Sequence, residues 1–186
     1  MDAEDAFTRA MQIARSFERE SFPYAIGGAL ALGVWGVPRG TVDVAVNVFV
    51  EPDQVGDVVL ALTALGIAVD PGRAASDVRE RGMFVGNWDG MRIDVFTSSI
   101  DFSYEALRTR KRLVVAGTEA CYLSAESVAV FKLLFFRSKD VADLERLVAV
   151  ADVDAAYVRR WMVRMMGEDD ERVRKWDEIV ATFGTR

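Results

Sequence analysis

The chain has 186 residues, 51% of them apolar and 10% aromatic, enough to bury a core without disulfides or metals. It contains one cysteine, Cys121, and no histidine, which excludes a disulfide framework, thiolate or imidazole zinc sites, and every catalytic triad or dyad that needs an imidazole base. With a net charge of −6, chemistry must rest on Asp, Glu, Lys, Arg, Tyr or Ser, and a carboxylate site would select a hard cation such as Mg²⁺.

The first segment, Asp2 to Phe17, places Phe7, Met11, Ala14 and Phe17 at helical spacing. It is acidic, without a basic and then apolar leader pattern, and no apolar run is long enough to span a bilayer. A soluble, cytoplasmic protein with no membrane partner is therefore expected. Tyr24-Ala25-Ile26 reads as a short strand that ends on Gly27-Gly28, followed by a helix to about Trp35. Glycines at such a turn let backbone N–H groups approach a phosphate.

Val42 to Val50 reads as a strand. Its even positions are all valine, while its odd positions run Asp43, Ala45, Asn47, Phe49. One row thus packs on a core and the other faces a cleft. A helix over Pro52 to Leu65, a short strand over Ile67 to Val69 and a loop over Ala74 to Arg81 follow. Met83–Trp88, the turn Asp89-Gly90 and Met91–Phe96 form a hairpin signature. Leu113–Ala116 and Ala120–Leu123 are further strands, and four helices are expected near 124–136, 139–150, 154–166 and 169–183. The layout predicts an α/β (α+β) protein: a mixed sheet with flanking helices over 1–123, and a C-terminal helical bundle over 124–186 packed on it.

Asp94 lies mid-strand between Ile93 and Val95, where strand propensity disfavours a carboxylate without a partner. Asp43 and Asp94 on neighbouring strands could hold Mg²⁺ and align a nucleoside triphosphate. Two basic clusters, Arg108 to Arg112 and Arg159 to Lys175, could bind RNA phosphates or could be ordinary solvated faces.

In order, Gly27-Gly28, Arg39-x-Thr41-x-Asp43 and Asp94 resemble the DNA-polymerase-β-like nucleotidyltransferase superfamily. Leu123-Ser124-Ala125-Glu126, Lys132-Leu133-Leu134 and Arg137 to Leu144 resemble the later motifs of its AbiEii group, which includes the MenT-type toxins. The resemblance spans about residues 20 to 150. It implies transfer of a nucleotide from NTP to an acceptor hydroxyl, with Mg²⁺ on Asp43 and Asp94. Lys132 and Asp140 would join the catalytic set, and Gly27, Gly28, Arg39, Thr41, Arg137, Lys139 and Asp143 would bind the nucleotide. It further implies tRNA as acceptor and a cognate antitoxin, in some members a kinase, for which Thr41 or a nearby serine would be the target. By its own surroundings Lys132 either snorkels to solvent or aims its ammonium at phosphate, held by Asp140 or Asp143.

The family pattern is Asp-x-Asp, whereas this strand reads Asp43-Val44-Ala45. Alanine coordinates nothing, and Asn47 lies roughly 6–7 Å further along. The sequence as written is expected to be inactive or strongly impaired. A solitary gap in an otherwise complete set suits a silenced enzyme better than a decayed one, and predicts an aspartate codon at position 45 of the gene. Two other readings stand beside the tRNA toxin: transfer to a small cationic acceptor such as an aminoglycoside, and a non-catalytic protein that binds nucleotide or a partner.

Overall fold

A computed structural model describes residues 3–184. The elements are α1 (Ala3–Arg19), β1 (Tyr24–Ile26), α2 (Gly28–Val34), β2 (Asp43–Val48), α3 (Val55–Thr63), α4 (Pro71–Arg81), β3 (Met83–Trp88) and β4 (Met91–Phe96). They continue with α5 (Asp101–Thr109), β5 (Lys111–Val115), β6 (Thr118–Tyr122), α6 (Ala125–Phe135), α7 (Ser138–Val150), α8 (Ala155–Met166) and α9 (Glu171–Phe183). Asp2, the expected start of the first helix, lies outside the described residues.

The strands make one six-stranded mixed sheet in the order β3-β4-β2-β1-β6-β5. β2 runs parallel to β4, and β1 parallel to β6; the other neighbours are antiparallel. The alternation in β2 works as expected. Val44, Val46 and Val48 are fully buried, in one apolar cluster with Ile13 and Phe17 of α1 and Val58 and Leu62 of α3. A second cluster lies among α2, α5 and α6–α9, and includes Leu32, Phe102, Leu133, Leu144, Met162 and Trp176. Burial of these large side chains, at ~25 cal/mol per Å² of apolar surface, drives the assembly.

The β3–β4 hairpin forms on its predicted register, with Trp88 opposite Met91. Asp89 and Gly90 both take positive φ, 48° and 88°, as a type I′ turn requires. Residues 74–81, expected as a loop, are helical. Asp70 caps α4 by accepting the Arg73 N–H at 2.8 Å, Pro71 occupies the first turn, and Gly82 ends the helix at φ 68°. Only Ala74 and Val78 are buried on that helix, so its apolar stripe is too thin to register as periodic. Helix α5 had no counterpart in the sequence reading and rests on Phe102 and Ala106, one turn apart and fully buried. The expected strand Ile67–Val69 reduces to a single bridge, Ala68 with Asn87. Among the described residues no helix is long and apolar enough to cross a membrane.

Candidate nucleotide cleft

The parallel pairing of β2 with β4 sets Asp43 beside Arg92, Ala45 beside Asp94 and Asn47 beside Phe96. Strand side chains alternate, so these six project from the same face. They floor a cleft of about 150 Å³, walled by Gly28, by Phe131, Lys132 and Phe135 of α6, and by Arg137, Lys139 and Asp140.

The turn at Gly27-Gly28 meets the floor closely. The Gly27 N–H donates to the Ala45 carbonyl at 2.9 Å. Gly28 takes φ 57°, and a Cβ there would stand 2.8 Å from the Ala45 Cβ. Both conditions demand glycine. The Thr41 hydroxyl donates to the Asp43 carboxylate. Thr41 is otherwise buried, which leaves its hydroxyl closed to a modifying enzyme in this arrangement.

Asp94 accepts a hydrogen bond from Arg92 Nε at 2.7 Å. Burial pushes its carboxyl above the usual range; the Arg92 guanidinium opposes this, and the charge of Asp43 adds to it. On the opposite wall lies an ionic network. Lys132 is buried, and its Nζ donates to Asp143 Oδ2 at 2.6 Å and to Asp140 Oδ1 at 3.4 Å. Its stem does not snorkel outward; both aspartates hold it. Arg39 Nε reaches the Asp143 carboxylate at 3.2 and 3.3 Å, and Arg137 Nε reaches Asp140 Oδ2 at 2.6 Å. Burial alone would raise the Asp140 carboxyl, but the Arg137 hydrogen bond and the Lys132 charge outweigh it and hold it low. The network thus aims Arg39 and Arg137 from the rim while their carboxylate partners stay buried.

Of the residues singled out from sequence, Gly28, Arg39, Asp43, Ala45, Asp94, Lys132, Arg137, Lys139 and Asp140 line the cleft. Gly27, Thr41 and Asp143 stand behind it as supports. Arg92, Phe96 and Phe135 line it too, without a motif to mark them, as does Asn47, which the sequence offers only as a distant substitute for the missing carboxylate. The alternation that selects Asp94 also places Arg92 on its face. The aromatic pair carried no signal, because Phe135 sits in a run that is apolar all round.

The resemblance noted in the sequence implies a divalent-cation centre, and the donors present do not fit a two-cation one. A methyl group stands at Ala45, directly beside Asp94, and Arg92 already occupies the Asp94 carboxylate. Among the described residues, no group of three or more acidic or cysteine side chains is placed to hold a metal ion.

Several side chains of the basic clusters are ion-paired, while Arg110, Lys111, Arg160 and Arg174 face no carboxylate among the ion pairs of the described residues. Arg108 is bidentate to Glu105, Arg112 faces Glu18 and Glu119, and Arg159 bridges Glu168 and Asp177. Arg164, Arg172 and Lys175 face Asp101, Asp170 and Glu178.

No protein-family model and no curated protein matches the sequence. The fold is similar to solved nucleotidyltransferases along nearly its whole length. An antigenic nucleotidyltransferase-like protein from Paracoccidioides brasiliensis shares 15% identity at a TM-score of 0.53, with 94% of each chain covered. The antibiotic-resistance factor ANT(2'')-Ia, in solution, shares 14% identity at a TM-score of 0.55, covering 98% of this chain and 92% of its own. Its crystal structure with adenylyl-2''-tobramycin shares 15% identity at 0.53, with 95% of each chain covered. The chain therefore has the nucleotidyltransferase-type fold, a mixed sheet flanked by helices.

Proposed function

We propose that this chain is a nucleotidyltransferase of the NTP-to-hydroxyl type whose transfer step is silenced at position 45. The observation that carries the reading is the register of β2 with β4. It sets Ala45 beside Asp94, with Asp43 one repeat away on the same face, opposite a wall of Arg39, Arg137 and Lys139. A carboxylate floor facing a cationic wall suits a triphosphate whose α-phosphorus must be approached by a hydroxyl.

In this scheme Arg39, Arg137 and Lys139 hold the phosphates, and Lys132 keeps Asp140 and Asp143 neutralised so that the two guanidinium groups stay aimed. The acceptor oxygen forms a bond to the α-phosphorus as the α–β bridging P–O bond breaks and pyrophosphate leaves. The acceptor's proton goes to Asp94 Oδ2, the oxygen not engaged by Arg92 Nε. A carboxyl held above its ordinary range is the better proton acceptor. Divalent cations supply charge neutralisation in such sites; this donor set is one carboxylate short of holding two.

The test is nucleotide incorporation by the chain and by its Ala45→Asp form, in the presence of Mg²⁺. Aspartate should raise the rate at least about 100-fold, beyond what loss of an outer-sphere metal partner costs. Equal and strong transfer by both forms would sink the proposal.

Two acceptors follow from the same scheme. The 3′ end of tRNA, with a cognate antitoxin as partner, rests on the AbiEii and MenT resemblance. A small cationic acceptor is favoured by the net charge of −6. The full-length similarity to ANT(2'')-Ia, whose solved complex holds adenylyl-2''-tobramycin, supports it too. RNA binding that weakens steeply with salt selects the first; binding of aminoglycoside but not RNA selects the second.

A further inference from the structure

One part of the cleft has no role in holding phosphate. Phe96, at the end of β4, and Phe135, at the end of α6, meet with ring centroids 5.5 Å apart and planes tilted by 58°. Phe135 is 44% exposed, so its ring is open to a ligand at the rim of the cleft. The guanidinium of Arg137 lies 5.0 Å from its ring centroid. Beside Phe96, in register on β2, stands Asn47, which is only 6% exposed. Its side chain lines the cleft and has no hydrogen-bond partner among the described residues.

These pieces share one chemistry. An apolar shelf of two rings accepts a flat aromatic ligand, an unpartnered amide both donates to and accepts from a heterocycle edge, and Arg137 links the shelf to the anion-binding wall. We propose that Phe96, Phe135 and Asn47 form the nucleobase subsite of the cleft, so that a nucleoside triphosphate is held by its base as well as by its phosphates. The proposal rests on the nucleotide reading above and adds a specificity to it. Stacking tolerates any base, because every base presents a π-face, and is stronger for the larger purine ring. One amide that can rotate separates adenine from guanine poorly. The subsite therefore prefers purines over pyrimidines and discriminates little within the purines.

The test is calorimetric titration of the whole chain with ATP, GTP, CTP and inorganic tripolyphosphate in one magnesium-containing buffer. ATP and GTP should bind alike, both tighter than CTP, and all three tighter than tripolyphosphate. Phe135→Ala should weaken ATP about 5- to 100-fold and leave tripolyphosphate within about twofold. Phe135→Leu, which keeps the bulk but not the π-face, should recover only part of that loss, and Asn47→Ala should cost ATP about fivefold. Phe135 is a rim residue, so its replacement should leave the buried clusters untouched, and an unchanged melting temperature is the control for that. ATP binding no tighter than tripolyphosphate, or Phe135→Ala weakening both ligands alike, overturns the subsite while leaving the phosphate wall standing. Failure of both ligands to bind the parent chain overturns the nucleotide reading together with it.

Discussion

Replacing Lys132 with methionine isolates the charge at the centre of the ionic wall, because methionine matches the lysine stem in length and leaves almost no cavity. Lys132 is 6% exposed, and its two partners, Asp140 and Asp143, are 1% and 2% exposed. Removing the ammonium strands two buried carboxylates, with Arg39 and Arg137 left to neutralise them from the rim. Breaking a buried pair by deleting one partner costs about 3–5 kcal/mol, whereas an exposed pair is worth about 0–1 kcal/mol. With a urea slope of about 2–3 kcal/mol/M for a chain of this size, the midpoint at pH 7 should fall by about 1–2 M. Acidification should narrow the gap, since protonating Asp140 relieves its stranded charge. Adding Asp143→Asn to Lys132→Met should recover part of the loss. A pH 7 loss below about 1 kcal/mol would refute the reasoning, because it would place the ammonium in water.

Three further perturbations test the site. Asp140 is held below the usual carboxylate range, so its stabilisation is complete above its unfolded pKa of about 3.9 and is lost as pH falls through its folded value. Asp140→Asn should therefore be destabilised relative to the parent from pH 5 to 7, with the difference closing below about pH 4 in a series of melts. Asp94 is shifted the other way: its folded carboxyl retains a proton that the unfolded chain has lost, so stability falls as pH rises through that window. Asp94→Asn removes this fall, and its stability relative to the parent should rise between pH 3 and pH 7; the opposite slope would contradict the burial of that carboxyl. Gly28→Ala must adopt φ 57° and meet the Ala45 methyl at 2.8 Å, for a loss of about 2–3 kcal/mol. Ala45→Gly in the same chain should relieve the contact but not the backbone strain, leaving a coupling of about 1 kcal/mol in a double-mutant cycle.

Much of this was readable from local pattern. The valine row of β2 announces a strand with one buried face, and the Asp-Gly turn between two apolar runs announces the hairpin. Asp94, a carboxylate among β-branched neighbours, draws attention because it defies its surroundings. The parts that escaped depend on contacts between segments distant in sequence. Helix α4 buries only Ala74 and Val78, so nothing periodic stands out against its charges. The partners of Arg159 lie on other segments, nine and eighteen residues away, and a basic cluster looks free until the helices pack. Phe135 shares its run with Val130, Phe131, Leu133 and Leu134, and only the docking of α6 on the sheet decides which of them meets the cleft.

The Gly27 N–H bond to the Ala45 carbonyl bears on how such a chain can change over generations. The bond and the parallel pairing of position 45 with Asp94 are made by main-chain atoms, and the contact facing Gly28 is made by Cβ; alanine and aspartate both provide all of these. The alanine codons GCT and GCC become the aspartate codons GAT and GAC by a change of one base. A lineage carrying this scaffold could therefore lose and regain the carboxylate by a single point mutation, with no repair needed elsewhere in the gene.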